Sequence, residues 1–263
     1  MSSTRPKMRG RGRRSPVVLA LVALVVLGAL AGAGGLAYLF LRGAPPSAVG
    51  QATTAPGASH GSVTGAPLSS GAASTLGDGG LDGTWAIDTT IGSFADFSSS
   101  FVGYRVNETL AENRANTAVG RTPDVSGTLV LAGTTISSVD VTASLATLRS
   151  DDDRRDGRLR EQAIETGRFP EASFRLTSPI ELGATPTDGT TLSATATGEL
   201  TLHGVTKAVQ VAVEAHLSGD VVTVTGSIQI LFADYAIERP TSFFVLSIED
   251  HGIMEFQLHF RRG

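Results

Sequence analysis

The run Asp151-Asp152-Asp153-Arg154-Arg155-Asp156 packs four carboxylates into six residues, a supply of hard oxygen ligands that would suit a calcium ion. Aligning Gly157 with the glycine of an EF-hand loop, however, puts Arg154 at a ligand position and Ala163 where a bidentate glutamate is required. The run reads instead as a helix start, its aspartates capping free N–H groups and pairing with nearby arginines. The five histidines, His60, His203, His216, His251 and His259, include no two with the local spacing of a zinc site. The chain has no cysteine, which removes thiolate catalysis, thiolate metal sites and a lipoprotein acylation site together. No Gly-x-Ser-x-Gly elbow or phosphate loop occurs. Asn107-Glu108-Thr109 matches a glycosylation sequon by chance. The expectation is a protein that is not an enzyme, with no catalytic residue, no metal and no cofactor.

His203 stands apart, because it falls between two runs of alternating apolar residues. In Gly198-Glu199-Leu200-Thr201-Leu202-His203-Gly204-Val205-Thr206-Lys207, Leu200 and Leu202 share one face of an extended strand. His203-Gly204 then supplies a tight reversal, and Val209, Val211 and Val213 resume the period of two. A turn histidine serves structure by bonding nearby backbone; a functional one, with Lys207, would meet a ligand head or a partner at the rim.

The elements that must position these residues are strands. Alternation recurs at Val125 to Leu131, Val139 to Leu145, Val209 to Leu217, Val222 to Phe232 and Phe256 to Phe260, each with one apolar and one polar face. Glycine-bearing turns at Gly133, Gly189, Gly204 and Gly219 separate them at spacings that suit antiparallel neighbours. One-sided strands pack as a sandwich or close as a barrel; an up-and-down barrel of about eight strands removes exposed edges and is favoured. One short helix interrupts them, with Leu159, Ala163 and Ile164 on one face and Gly167 as its stop, placed to lie over an end of the barrel as a lid.

The first 82 residues lack this pattern. Six Lys and Arg in residues 1–15 form a basic tail, and the uncharged stretch 16–41 is about 39 Å long as a helix, enough to span a hydrocarbon core of roughly 30 Å. It reads as a transmembrane helix whose N-terminus is cytoplasmic by the positive-inside bias, in preference to a cleaved signal peptide. Residues 42–82 are almost entirely Gly, Ala, Ser, Thr and Pro, a disordered tether with a reach of roughly 35 Å. Residues 83–263 form the extracytoplasmic domain, with 14 Lys and Arg against 23 Asp and Glu, a net charge of −9 that excludes nucleic acid as a partner. The partner expected from these segments is the membrane.

Several segments in order resemble the YceI-like family of lipocalin-like, polyisoprenoid-binding barrels. They are Trp85-Ala86-Ile87-Asp88, the strand around Gly127, Thr147 to Leu159 with Arg155-Asp156-Gly157-Arg158-Leu159, Arg168-Phe169-Pro170-Glu171-Ala172-Ser173-Phe174, and the Gly198 to Lys207 hairpin. The chain departs from the pattern at Ala163-Ile164, at Asp234-Tyr235-Ala236-Ile237, and across Phe94 to Gly120, which is longer and more polar. The resemblance implies an antiparallel barrel with an apolar interior that holds or carries a polyisoprenoid or isoprenoid-quinone chain in the cell envelope. Face parity selects Phe174, Leu200, Leu202, Val211, Val213, Ile228, Ile230, Phe232, Phe256 and Leu258 as its wall, and Arg155, Asp156 and His203 as rim or head-group candidates. The alternative is a structural or protein-interaction barrel with a filled core and no ligand.

Overall fold

Alternating apolar residues, many of them β-branched, form thirteen strands among the described residues, which in this computed structural model are 45–49, 80–240 and 245–263. The basic tail and the apolar stretch 16–41 lie outside them, as does most of the stretch 42–82. No helix among the described residues is long and apolar enough to cross a membrane. The strands are β1 (Gly83–Ile87), β2 (Phe101–Leu110), β3 (Arg114–Thr122), β4 (Val125–Ala132), β5 (Thr135–Ser144), β6 (Arg149–Ser150), β7 (Glu171–Leu176), β8 (Ile180–Glu181), β9 (Thr191–Leu202), β10 (Val205–Ser218), β11 (Val221–Leu231), β12 (Val245–Ile248) and β13 (His251–Arg262).

Eight of them close a ring in chain order, β1-β4-β5-β7-β9-β10-β11-β13, and β1 seals it by pairing with β13. Neighbours around the ring are antiparallel, so the domain is a closed barrel rather than a sandwich. The long β13 serves two partners along one edge. Its C-terminal end pairs with β1 (Ile87↔Phe260), whereas Ile253 to Gln257 pair with β2, which turns back as β3.

Parity decides what faces inward. On β13, Phe256, Leu258 and Phe260 pack in one buried cluster with Trp85, Leu129, Leu131 and Leu217. A second cluster gathers Leu145, Leu148, Ala163, Ile164, Leu200, Leu202, Ile230 and Tyr235. Its outer layer is the helix α1 (Asp153–Arg158), which continues as a π-helical turn Leu159–Ala163. Asp152 caps α1 by accepting hydrogen bonds from the N–H groups of Arg154 (2.9 Å) and Arg155 (3.3 Å), so the acidic run is a helix start. The stop is not Gly167: the chain leaves the helix at Ile164, and Glu165 takes the left-handed turn at φ 48°.

The β9–β10 reversal places both central residues at positive φ, His203 at 51° and Gly204 at 73°, with Leu202 opposite Val205. Two such residues define the tight turn that matches strand twist. Histidine tolerates this conformation better than most side chains, and here Phe169 packs edge-on against its ring at 4.5 Å. The same Phe169 leaves no room for a side chain at Gly204, where a Cβ would lie 2.5 Å from Cε1.

Two sequence expectations are corrected. The β11 row does not extend to Phe232, because the strand ends at Leu231 and Phe232–Tyr235 form a 3-10 turn that buries Tyr235 instead. Nor is the outer face solvated everywhere. Phe101, Arg121, Glu255 and His259 are buried although they alternate with the inward residues. The segment 88–100 folds back over them, with Gln257 Nε2 donating to the carbonyls of Phe97 (3.2 Å) and Ser99 (3.0 Å) and the His259 ring bonded to the Ser98 carbonyl at 2.8 Å. The long polar stretch after Phe94 thus covers the outside of the wall.

Gly204→Ala combines a left-handed backbone with a clash against Phe169. It is expected to lower stability by about 1–3 kcal/mol, read as a reduced urea midpoint with far-UV circular dichroism unchanged. An unchanged midpoint would remove this account of the turn.

Candidate functional site

Inward positions set the character of the interior. Many carry small side chains: Ala143, Ala172, Ala194, Ala196 and Ala215 all face a central cavity of about 170 Å³. The larger rings are drawn aside. Phe174 occupies the space that Gly198 leaves, where a Cβ would meet its Cζ at 2.4 Å, and Phe256 does the same over Gly226 at 2.6 Å. An eight-stranded ring is just wide enough to be filled by its own side chains or to hold one small ligand, and these small residues leave it unfilled.

The wall is apolar. Ser173 and Thr190 are the hydroxyl-bearing residues in a lining that otherwise includes Trp85, Leu129, Val141, Leu200, Val211, Val213, Leu258 and Phe260. Pro186 and Thr190 bring the loop 182–190 into the wall at one end. At the other, Ala172 and Leu200 belong both to the lining and to the second core cluster, which closes that end beneath the helix. A dry apolar cavity of comparable size, roughly 150 Å³, accepts a benzene ring. This interior therefore takes a short length of hydrocarbon chain, and a longer one requires its side chains to move or its tail to project.

Of the residues chosen by parity, Phe174, Leu200, Val211, Val213, Phe256 and Leu258 line the cavity. Leu202, Ile228 and Ile230 pack with the second cluster instead. The signal that parity missed is size: the alanines of β9, which make the space, read as unremarkable strand residues.

Arg155, Asp156 and His203 do not line the cavity. Asp156 is buried and accepts hydrogen bonds from Ser150 N (2.9 Å) and Ser150 Oγ (2.7 Å), tying α1 to β6. Arg155 reaches Glu108 at 3.1 Å and Asp151 at 2.6 Å. Burial opposes its charge, but Glu108, Tyr104 and Asp151 prevail and hold the guanidinium more firmly protonated than usual. Beside it, burial pushes the Tyr104 hydroxyl up from its ordinary value, and that hydroxyl makes no hydrogen bond of good geometry although Ser150 is a neighbour. His203 braces three segments: Nδ1 bonds the Tyr235 carbonyl at 2.9 Å and Nε2 the Glu165 carboxylate at 3.0 Å. Both partners are oxygens, so each ring nitrogen is held by a contact of its own. Among the described residues, no three His, Asp or Glu side chains are grouped to hold a metal ion.

Residues 85–260 match the family profile described as the YceI-like domain. Among solved structures, a polyisoprenoid binding domain from Saccharophagus degradans implicated in plant cell wall breakdown shares 18% identity at a TM-score of 0.52, over 69% of this chain and 99% of that one. BcnA from Burkholderia cenocepacia shares 18% identity at a TM-score of 0.48, over 66% of this chain and 98% of its own. The Campylobacter jejuni YceI protein shares 17% at 0.46, over 55% and 84%. No curated protein matches the chain at a significant level.

The brace at His203 carries a pH signature. The hydrogen bond from His203, then that from Arg168, holds the Glu165 carboxyl below its ordinary value of 4.5. A depressed folded value contributes stability that is present above the unfolded value and lost as pH falls through the folded one. Glu165→Gln is therefore expected to flatten the fall of the thermal midpoint below about pH 4.5. Identical acid limbs in the two proteins would show that the contact carries no stability.

Proposed function

Since the chain belongs to the YceI-like family, we propose that it is a lipid-binding protein whose barrel holds an isoprenoid chain, and that no reaction is catalysed. The observation that carries this reading is the unfilled apolar interior, bounded at one end by the loop 182–190 and closed at the other by the second core cluster. Each methylene transferred from water into that wall contributes about 0.8 kcal/mol, so affinity grows with the length of chain that the interior admits. Phe174, Leu200, Val211, Val213, Phe256 and Leu258 form the wall; the polar head of the ligand remains near Pro186 and Thr190, where the cavity meets the loop. Arg155, Asp156 and His203 position the closed end rather than meet the head.

The same reading places the domain outside the cytoplasmic membrane, tethered by residues 16–41 with the basic tail inside. What supports this is the apolar length and the one-sided charge of the sequence. A holder of insoluble chains gains from staying near the bilayer that supplies them. Resistance of the full chain to alkaline carbonate extraction, with the barrel degraded by protease added to spheroplasts, is the expected outcome; a protein freely released would contradict the tether.

Ala196→Phe tests the cavity. The ring should fill open space, leaving the thermal midpoint nearly unchanged while uptake of a fluorescent geranylgeranyl probe falls at least tenfold. In a filled core the same change would cost about 1–3 kcal/mol. Wild-type protein that takes up no probe and yields no polyprenyl lipid on organic extraction would overturn the proposal.

A further inference from the structure

Among the described residues, two of the most heavily buried charges, Glu255 and Arg121, lie on the outer wall of the barrel and have no part in the cavity. Arg121 on β3, Gly103 on β2 and Glu255 on β13 stand in register across three strands. Gly103 is what lets the outer two meet: a Cβ there would lie 2.6 Å from Arg121 Cγ. With that space open, Arg121 crosses β2 and binds Glu255 Oε1 through Nε (3.1 Å) and Nη2 (2.6 Å). Its guanidinium also lies over the rings of Phe97 (4.4 Å) and Phe101 (4.2 Å). Arg105, on the same face of β2, reaches Glu255 Oε2 at 3.3 Å from both Nε and Nη2. The Glu255 side chain is 1% exposed, that of Arg121 4% and that of Arg105 16%.

Two guanidinium groups against one carboxylate leave an excess positive charge and unsatisfied donors out of water, which is costly unless further acceptors are supplied. The acceptors come from residues 45–49. Arg105 Nη2 donates to the Pro46 carbonyl at 2.7 Å, and Arg121 Nη2 to the Ser47 carbonyl at 3.0 Å. In the other direction, Val49 N donates to Glu255 Oε2 at 3.3 Å. These contacts read main chain alone, two carbonyls and one N–H, and no side chain of the segment.

We propose that Arg105, Arg121 and Glu255 form a main-chain clasp whose occupant is the segment 45–49 of this same chain. The other end of the intervening sequence is also fixed to the barrel: Arg262 Nη1 donates to the Gly80 carbonyl (2.7 Å), Trp85 Nε1 to the Leu81 carbonyl (3.0 Å), and the Asp82 carboxylate accepts from Gly133 N (2.7 Å). On the membrane-tethered reading above, three residues of sequence, 42–44, separate the proposed span from the clasped segment, a contour of at most about 10 Å. Opening the clasp adds sequence to that connection, so the clasp sets how far the barrel ranges from the lipid supply.

The test uses the absence of cysteine. Spin labels at Ser47→Cys and at Ala208→Cys, an exposed position on β10, report the distance from segment to barrel by double electron–electron resonance on the full chain in detergent micelles. A narrow distribution is expected. It should broaden at least twofold in Arg105→Gln, which removes the Pro46 contact, and in Val49→Pro, which removes the donor to Glu255 without touching the barrel. A broad distribution in the parent, or a narrow one that survives both substitutions, would overturn the clasp. Neither outcome depends on whether the cavity binds lipid, because the probe uptake of Ala196→Phe is read separately.

Discussion

The structure depends on one constraint: a ring of eight antiparallel strands encloses a space that side chains can only just fill. Whether such a ring is a solid core or a container is decided by the size of the inward residues. Here alanines at 194 and 196 on β9, 172 on β7 and 143 on β5 subtract volume from the middle, while Trp85 and Phe260 supply it among the first cluster. The rings that would otherwise block the centre lie over glycines at 198 and 226. The cavity follows from these choices together, and restoring one large side chain is enough to close it.

A barrel with a hollow interior loses packing contacts that a filled one would have. This chain compensates at its periphery. The second cluster, α1 and the His203 turn form a solid plug at one end, and the Phe169 ring joins helix exit and hairpin in one contact. On the outer wall, Phe101, Arg121, Glu255 and His259 extend the buried volume beneath the segment 88–100. Buried ion pairs of this kind add little net stability, because the cost of desolvation offsets their attraction, but removing one partner leaves an uncompensated buried charge. The Arg121–Glu255 pair aligns three strands and reads the chain passing over them.

Much of this was legible in the sequence because strand periodicity is strict. Parity selects Val211, Val213, Phe256 and Leu258, which line the interior, and His203-Gly204 falls at the reversal between β9 and β10. It failed where the pattern is broken by something other than alternation. Phe232 continues the row in sequence but follows the end of its strand, and Leu202, Ile228 and Ile230 face inward at a level already occupied by the helix and Tyr235. Burial of Glu255 and Arg121 was invisible, because a charged residue at an outward position normally means water, and the covering residues lie far away in the chain. Propensity alone selects Gly167 as the helix stop, whereas the left-handed turn falls at Glu165, whose carboxylate bonds His203. Arg155 and Asp156, carried as rim residues, hold the helix to the wall instead.

Methyl-resolved nuclear magnetic resonance of the domain, titrated with farnesol, addresses the central claim most directly. Saturable shifts and ligand contacts confined to inward methyls, such as those of Leu200, Val211, Val213 and Leu258, are the predicted result, with the exposed Leu231 and Leu246 unmoved. Shifts spread over the outer methyls, or none at saturating ligand, would mean that the interior takes no chain.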